Sequence, residues 1–239
     1  MQEKEKARLR RSSKASNYVG IGLTIIAAIV FIFFAIGDGD KDLNNQGKTP
    51  VQSTTTTKTS TTTTTGKTLS DMLGLSSNIV SIKYDVLVSG PGIPAMTMKA
   101  WLKSNRMRTE MTQQGTNVVT LIDNDAKTMY AYMPAQNLAM KIPFDPAQVP
   151  KAPTGDAESI LNSNARIVGT ETIDGKVCSV VEYTSGQDSV KTWIWQDKGL
   201  PIRIETTSST GKTTIEYKNI DFSDIPDSMF ELPAGVTIK

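Results

Sequence analysis

One uninterrupted apolar run constrains this chain more than any other feature. The run from Tyr18 to Ile36 contains 19 residues and no charged side chain. At about 1.5 Å per residue, a helix of this length spans roughly 28 Å, close to the thickness of the hydrocarbon layer of a bilayer. A cleaved signal peptide has a shorter apolar core of about 7–15 residues. We therefore predict an uncleaved transmembrane helix at residues 18–36.

The charges on the two sides of this run differ in sign. Residues 1–17 carry six Lys and Arg against two Glu, whereas the other side opens with Asp38, Asp40 and Asp42. Basic residues accumulate on the cytoplasmic side of a membrane span. We therefore predict a cytoplasmic basic head at residues 1–17, a single-pass anchor in the cytoplasmic membrane of the cell, and an extracytoplasmic remainder.

A threonine-rich stretch separates the predicted anchor from the rest of the chain. Residues 51–68 read "VQSTTTTKTSTTTTTGKT". A segment with so few apolar side chains cannot offset the entropy that ordering would cost. We predict a disordered stalk at residues 37–69, of a composition typical of O-glycosylated surface stalks. It would let the domain at residues 70–239 stand off from the membrane.

Composition limits what the domain at residues 70–239 can do. It is long enough for one core, and its 16 Lys and Arg against 19 Asp and Glu give a net charge of −3, so nucleic acid is not an expected partner. A single cysteine, Cys178, excludes an internal disulfide, and we expect it to be buried. The chain has no histidine, the commonest acid–base group and metal ligand. We predict a protein without enzyme activity, cofactor or metal.

Short runs of alternating apolar and polar residues make up most of this domain. In the run from Ile79 to Ser89, one face carries Val80, Ile82, Tyr84, Val86 and Val88. A period of two is that of a strand with one buried face. Ten or eleven such runs follow one another between turns. The sequence therefore predicts a mainly β domain built on a single large, curved antiparallel sheet.

Methionine is concentrated on the apolar face of these runs. Met107 and Met111, for example, alternate with Arg106, Arg108 and Glu110. Methionine is flexible and polarisable, so it suits adaptable apolar surfaces, although ordinary core packing accounts equally well for any single one. Only two short helices, at residues 69–75 and about 156–162, are predicted to cover this face. Either the sheet packs on itself, or it keeps a cavity for an apolar ligand.

Four phrases of the sequence carry a resemblance to a known family. They are "MKAWLKSNRMRTEM", "TLIDNDAKTMYAYMPAQNLAMKI", "VGTETIDGKVCSVVEY" and "VKTWIWQDKGLPIRIE…YKNIDFSDIPDSMFELPAGV". Together they resemble the LolA/LolB-like lipoprotein-carrier superfamily over nearly all of residues 78–238. The resemblance implies an incomplete β-barrel of about eleven strands around short helices, with a hydrophobic cavity that takes lipid acyl chains.

The resemblance also implies a function and a set of residues. It indicates a tethered, non-enzymatic module that binds lipid or lipoprotein as a carrier or an acceptor. In the carriers an arginine on an early strand helps to hold the lid of the cavity, and Arg108 is the matching position. The residues expected to bind lipid are Met98, Leu102, Met107, Met111, Met129, Met133, Met140, Ile194, Ile202 and Ile204.

Two other functions remain open at this point. The same fold could serve as an envelope sensor or regulatory module that binds a protein partner outside the membrane, while the basic head contacts a partner in the cytoplasm. The domain could also be a structural surface domain with a filled core.

Overall fold

The structure, a computed structural model, describes the domain that follows the predicted stalk. It covers residues 67–113, 115–145, 149, 152–155 and 157–239. The predicted basic head, the predicted anchor and the predicted stalk up to residue 66 lie outside the described residues. Within the part described, no helix has the length and apolar character that a membrane crossing requires.

One sheet of twelve strands forms most of the domain. The strands are β1 (Ser81–Gly90), β2 (Ile93–Lys103), β3 (Arg106–Gln113), β4 (Thr116–Asp123), β5 (Thr128–Met133), β6 (Leu138–Ile142), β7 (Arg166–Ile173), β8 (Lys176–Ser185), β9 (Asp188–Trp195), β10 (Leu200–Ser208), β11 (Gly211–Asp221) and β12 (Thr237–Ile238). Their order across the sheet is β12-β6-β5-β4-β3-β2-β1-β11-β10-β9-β8-β7. The chain thus forms two antiparallel meanders, β1–β6 and β7–β11, which join where β1 pairs with β11.

The prediction of a mainly β domain with one large sheet is confirmed, with three differences. The sheet has twelve strands, and β12 runs parallel to β6, with Thr237 opposite Leu138. It is also open and uncurled, where a curved sheet and an incomplete barrel were expected. Each meander extends outward from the β1–β11 pair, so the two edge strands β12 and β7 lie at opposite ends of the sheet.

Two short helices pack on one face of the sheet, which we call the helix face. They are α1 (Leu69–Gly74) and α2 (Ala157–Leu161), close to the two predicted positions. Thr68 caps α1 in a capping box, because its hydroxyl accepts from the N–H of Asp71 at 3.1 Å while the Asp71 carboxylate accepts from the N–H of Thr68 at 3.1 Å. Short 3-10 turns occur at Leu75–Asn78, Pro134–Gln136, Pro153–Gly155 and Asp227–Phe230.

The main core lies between these helices and the centre of the sheet. Leu73 of α1 and Ile160 of α2 are buried against side chains from β1, β2 and β8–β11. Ile82 belongs to this cluster, as its alternation predicts, but Val80 does not. Val80 is 72% exposed, because β1 begins only at Ser81 and Val80 lies in the connection that precedes it.

The opposite side of the sheet, which we call the outer face, is also partly apolar. Two apolar clusters lie on the outer face. The first, on β4–β6, is covered by Leu232 and Val236 from the segment that leads to β12. The second, on β8–β10, contains Cys178, which is fully buried as predicted. The remaining buried members of the two clusters are Val119, Leu121, Tyr132, Ala139, Val180, Trp193 and Ile202.

Candidate functional site

A continuous row of apolar side chains crosses the helix face of the first meander. Each member lies directly opposite the next on the neighbouring strand, so the row spans six strands. The members are Ile82, Leu102, Met107, Ile122, Met129 and Ile142. Ile82, Met107, Ile122 and Met129 are buried. We call this set the methionine row.

The other strand methionines named as candidates lie on the same face. Met98 on β2 is opposite Met111 on β3, and both pack with the main core. Met133 and Met140 extend the face on β5 and β6, where Met140 lies opposite Ala131. The structure therefore brings all six candidate methionines to one face, as their alternation predicts.

A line of short side chains runs across the strands beside the methionine row. Ala100, Thr109, Thr120 and Ala131 lie opposite one another on β2, β3, β4 and β5. On β2, β3 and β5 the residues two before and two after are longer, for example Met107 and Met111 around Thr109. The line is therefore a trough between two ridges, roughly 15 Å long at about 4.8 Å per strand. Because Ala100, Thr109 and Ala131 are buried, other side chains of the domain already cover most of this trough. The sequence alone does not indicate the trough, because only the register between neighbouring strands aligns its four residues.

The segment that follows β6 covers the methionine row. Phe144 and Val149 pack against the cluster of Met107, Ile122 and Met129. Lys127 lies over the Phe144 ring, with its Nζ 5.4 Å from the ring centroid. The described residues thus close the row with two apolar side chains of the connection between the meanders.

The isoleucines assigned to the same surface divide between the two faces of the sheet. Ile194 and Ile204 are buried on the helix face, in the main core that also contains Met98 and Met111. Ile202 is buried on the outer face with Cys178, so it does not share a surface with Ile204. A register shift between Pro201 and Arg203 changes the alternation at this point, which the sequence pattern does not reveal.

Arg108 faces the outer side of the sheet, away from the methionine row. Its Nη1 donates to the backbone carbonyl of Met229 at 3.0 Å, and its Nε donates to the Glu110 carboxylate at 2.9 Å. Its guanidinium lies 5.9 Å from the centre of the Trp101 ring. These contacts hold the segment before β12, and the role in a cavity lid remains a prediction.

The acidic and cysteine side chains of the described residues have structural surroundings. No three Asp, Glu or Cys side chains among them form a group that could hold a metal. The Asp123 carboxylate instead accepts from the N–H groups of Asp125 and Ala126, which closes a turn. Burial raises the pKa of the Cys178 thiol to about 11, so the thiol stays protonated and unreactive at neutral pH. The arrangement suits apolar binding.

Two searches compared the sequence with known families and curated proteins. Residues 87–198 match a family described as a domain of unknown function, DUF4412. The match runs from β1 to the turn after β9, and so includes the trough and every member of the methionine row except Ile82. The search of curated proteins finds no match.

Solved structures show which fold the chain adopts. An uncharacterized conserved protein from Thermus thermophilus is similar with a TM-score of 0.51 and 12% identity, over 70% of this chain and 96% of that one. A LolA superfamily protein from Nitrosomonas europaea is similar with a TM-score of 0.36 and 15% identity, over 70% of this chain and 98% of that one. MucB in the MucA/MucB complex of Pseudomonas aeruginosa is similar with a TM-score of 0.42 and 14% identity, and the similarity covers 70% of this chain and 61% of that one. The similar structures include a LolA superfamily protein, in agreement with the resemblance found in the sequence, and identities this low concern the fold alone.

Proposed function

We propose that this chain is a membrane-anchored, extracytoplasmic and non-enzymatic protein that binds a lipid or lipoprotein acyl chain on the helix face of its first meander. The trough supports this proposal most directly. Its floor is built from Ala100, Thr109, Thr120 and Ala131, and its ridges carry the methionines on both sides. Ala100, Thr109 and Ala131 are buried, so an acyl chain would first displace the side chains that cover the trough, and it would then make dispersion contacts along its whole length.

Apolar burial supplies the affinity in this proposal. Each methylene group removed from water contributes about 0.8 kcal/mol, so a long acyl chain provides ample binding energy. Because Phe144 and Val149 already pack on the methionine row, an acyl chain would reach the row by taking their place. The flexible methionine side chains would then adjust to the shape of the guest.

The tether belongs to the same proposal. The basic head at residues 1–17, the anchor at 18–36 and the threonine-rich stalk would hold the domain outside the cytoplasmic membrane. The stalk would end before the predicted residue 69, because Thr68 caps α1 and Leu69 begins it. A flexible stalk of about 30 residues has a root-mean-square reach of roughly 30 Å. That reach would let the domain meet lipids of its own membrane or a lipoprotein nearby.

Photo-crosslinking of the full chain tests the proposal. The chain is reconstituted in vesicles that contain a phospholipid with a diazirine at the end of one acyl chain, and adducts are mapped by peptide mass spectrometry. We expect adducts in β2–β6, around Met98, Met107 and Met129. Adducts confined to the predicted anchor would contradict the proposal.

A matched pair of variants tests the trough itself. Thr120→Leu fills the trough, whereas Thr112→Leu places the same side chain on an exposed position of β3. We expect the first to lower the adduct yield in β2–β6 several-fold and the second to leave it unchanged. Equal yields would exclude the trough as the binding site. A protein partner that stays bound after all lipid is removed would favour the sensor function instead.

A further inference from the structure

The edge strand β7 combines free backbone groups with exposed apolar side chains. Among the residues that the structure describes, β7 pairs with β8 on one side only, and its residues from Arg166 to Thr170 are exposed. Six large apolar side chains are exposed among the described residues, and four of them lie on β7, on β8 beside it or at the end of α2. These four are Leu161, Ile167, Val168 and Val177. An apolar, unpaired edge of this kind is a template for a further strand.

The register with β8 determines which backbone groups of β7 point outward. In an antiparallel hairpin with a two-residue turn, the residues next to the turn are hydrogen-bonded to each other, and the alternation continues from there. Counted in this way, Thr172 and Thr170 direct their N–H and C=O groups away from β8. A one-residue register shift between Ile167 and Gly169 changes the alternation. The N–H and C=O groups of Ile167 therefore also point away from β8.

We propose that β7 pairs antiparallel with β7 of a second copy of this chain, in the register that places Arg166 of each copy opposite Glu171 of the other. Arg166 and Glu171 face the same side of the sheet, because their partners on β8 are four residues apart. In this register Ile167 lies opposite Thr170. Both have outward backbone groups, so they exchange two hydrogen bonds across the interface.

Charge complementarity favours a second copy of this chain as the partner of β7. A strand that fits this edge needs an acid opposite Arg166, a base opposite Glu171 and a small residue opposite Val168. Two copies of the segment "RIVGTE" supply all three when they pair antiparallel, because Gly169 of one copy then lies opposite Val168 of the other. Neither Arg166 nor Glu171 forms an ion pair within the described residues, although Arg166 lies opposite Glu182 on β8 and Glu171 accepts from the Trp193 indole.

The oligomeric state of the full chain tests this proposal. Sedimentation equilibrium in detergent micelles should show a monomer–dimer equilibrium. Ile167→Lys should raise the dissociation constant about tenfold or more, because the substitution occurs twice in a symmetric dimer and lysine on an edge opposes strand pairing. Ile238→Lys is the matched control, since Ile238 is 55% exposed at the opposite edge and Ile167 is 44% exposed. The control should leave the dissociation constant unchanged.

A charge-reversal cycle tests the register. Arg166→Glu and Glu171→Arg should each weaken the dimer, and the double variant should restore the affinity to within a few-fold. Circular dichroism checks that each variant is folded, because Glu171 also accepts a hydrogen bond from the Trp193 indole at 2.8 Å. A monomer at every concentration, equal effects of the two lysine variants, or a double variant as weak as the single ones would overturn the proposal. A different protein bound at β7 would also overturn it.

Discussion

The carbonyl oxygen of Met72 occupies the space in which a side chain on Gly199 would begin. Gly199 lies in the turn between β9 and β10 and has a φ of +66°. Its N–H donates to the carbonyl of Trp195 at 2.8 Å, which closes the turn beneath α1. The absence of a side chain at Gly199 therefore lets α1 lie directly on the sheet.

We predict that Gly199→Ala destabilises the domain by about 2–4 kcal/mol. Part of the loss is the backbone strain of a positive φ, about 1–2 kcal/mol, and the rest is the collision with α1. Gly175→Ala is the control, because Gly175 has a φ of +73° but open space around its Cα. Urea unfolding of both variants measures the difference. Equal losses would mean that α1 is free to move away.

Arg108→Ala should loosen the segment before β12 without affecting acyl binding. The substitution removes the hydrogen bond to the Met229 carbonyl and leaves Glu110 without its ion-pair partner. Hydrogen exchange of residues 227–232 should become faster, and the photo-crosslinking yield in β2–β6 should stay the same. A changed yield would instead support the lid role that the family resemblance implies.

Cys178 should resist thiol reagents until the domain unfolds. Its side chain is fully buried, and burial raises the thiol pKa to about 11, so almost no thiolate is present at pH 8. Ser209→Cys, in the exposed turn between β10 and β11, provides a reactive control in the same protein. Labelling with Ellman's reagent should be fast at this introduced thiol and should reach Cys178 only in denaturant. Rapid native labelling of Cys178 would show local opening of β8.

Asp221 should contribute a pH-dependent part of the stability at acidic pH. The backbone N–H of Ser223, followed by the Lys83 ammonium, lowers the pKa of this carboxyl from 3.8 to about 2. A group with a lowered folded pKa stabilises the fold fully above its unfolded pKa, and this contribution is lost as the pH falls from about 4 to 2. Carbon-detected NMR titration of the carboxyl measures the pKa directly.

Lys83→Ala separates the two causes of this shift. The Lys83 Nζ lies 2.9 Å from the Asp221 carboxylate, but the Ser223 N–H is the larger influence. The variant should therefore raise the pKa of Asp221 only part of the way towards 3.8. A complete return to the ordinary value would show that the hydrogen bond from Ser223 has little effect.

Local patterns predicted much of this fold, because a strand with one buried face has a period of two. Ile82, Tyr84, Val86 and Val88 lie on the buried face of β1, and Met107 and Met111 lie on the predicted side. The sequence could not predict the separation of Ile202 from Ile204, because a bulge changes the alternation without a distinct residue pattern. It also could not predict the open edge, which depends on long-range strand order.

The trough shows the same limit for the candidate site. Ala100, Thr109, Thr120 and Ala131 are ordinary residues within their own strands. They form a groove only because four strands pair in one particular register. Single-strand periodicity identifies a face, whereas the shape of that face depends on which residues lie opposite one another.

The pairing of β1 with β11 divides the domain into two units that are each continuous in sequence. Lys83 lies opposite Asp221, so this junction forms only after a long stretch of chain has closed, and it should be among the slowest contacts to appear during folding. The two meanders are also linked through the connection between β6 and β7, and the segment after β11 returns to the first meander, where β12 pairs with β6 and Arg108 donates to the Met229 carbonyl. A break in the β6–β7 connection would therefore leave two fragments that still share the β1–β11 pair and this returning segment, and we expect them to reassemble when mixed.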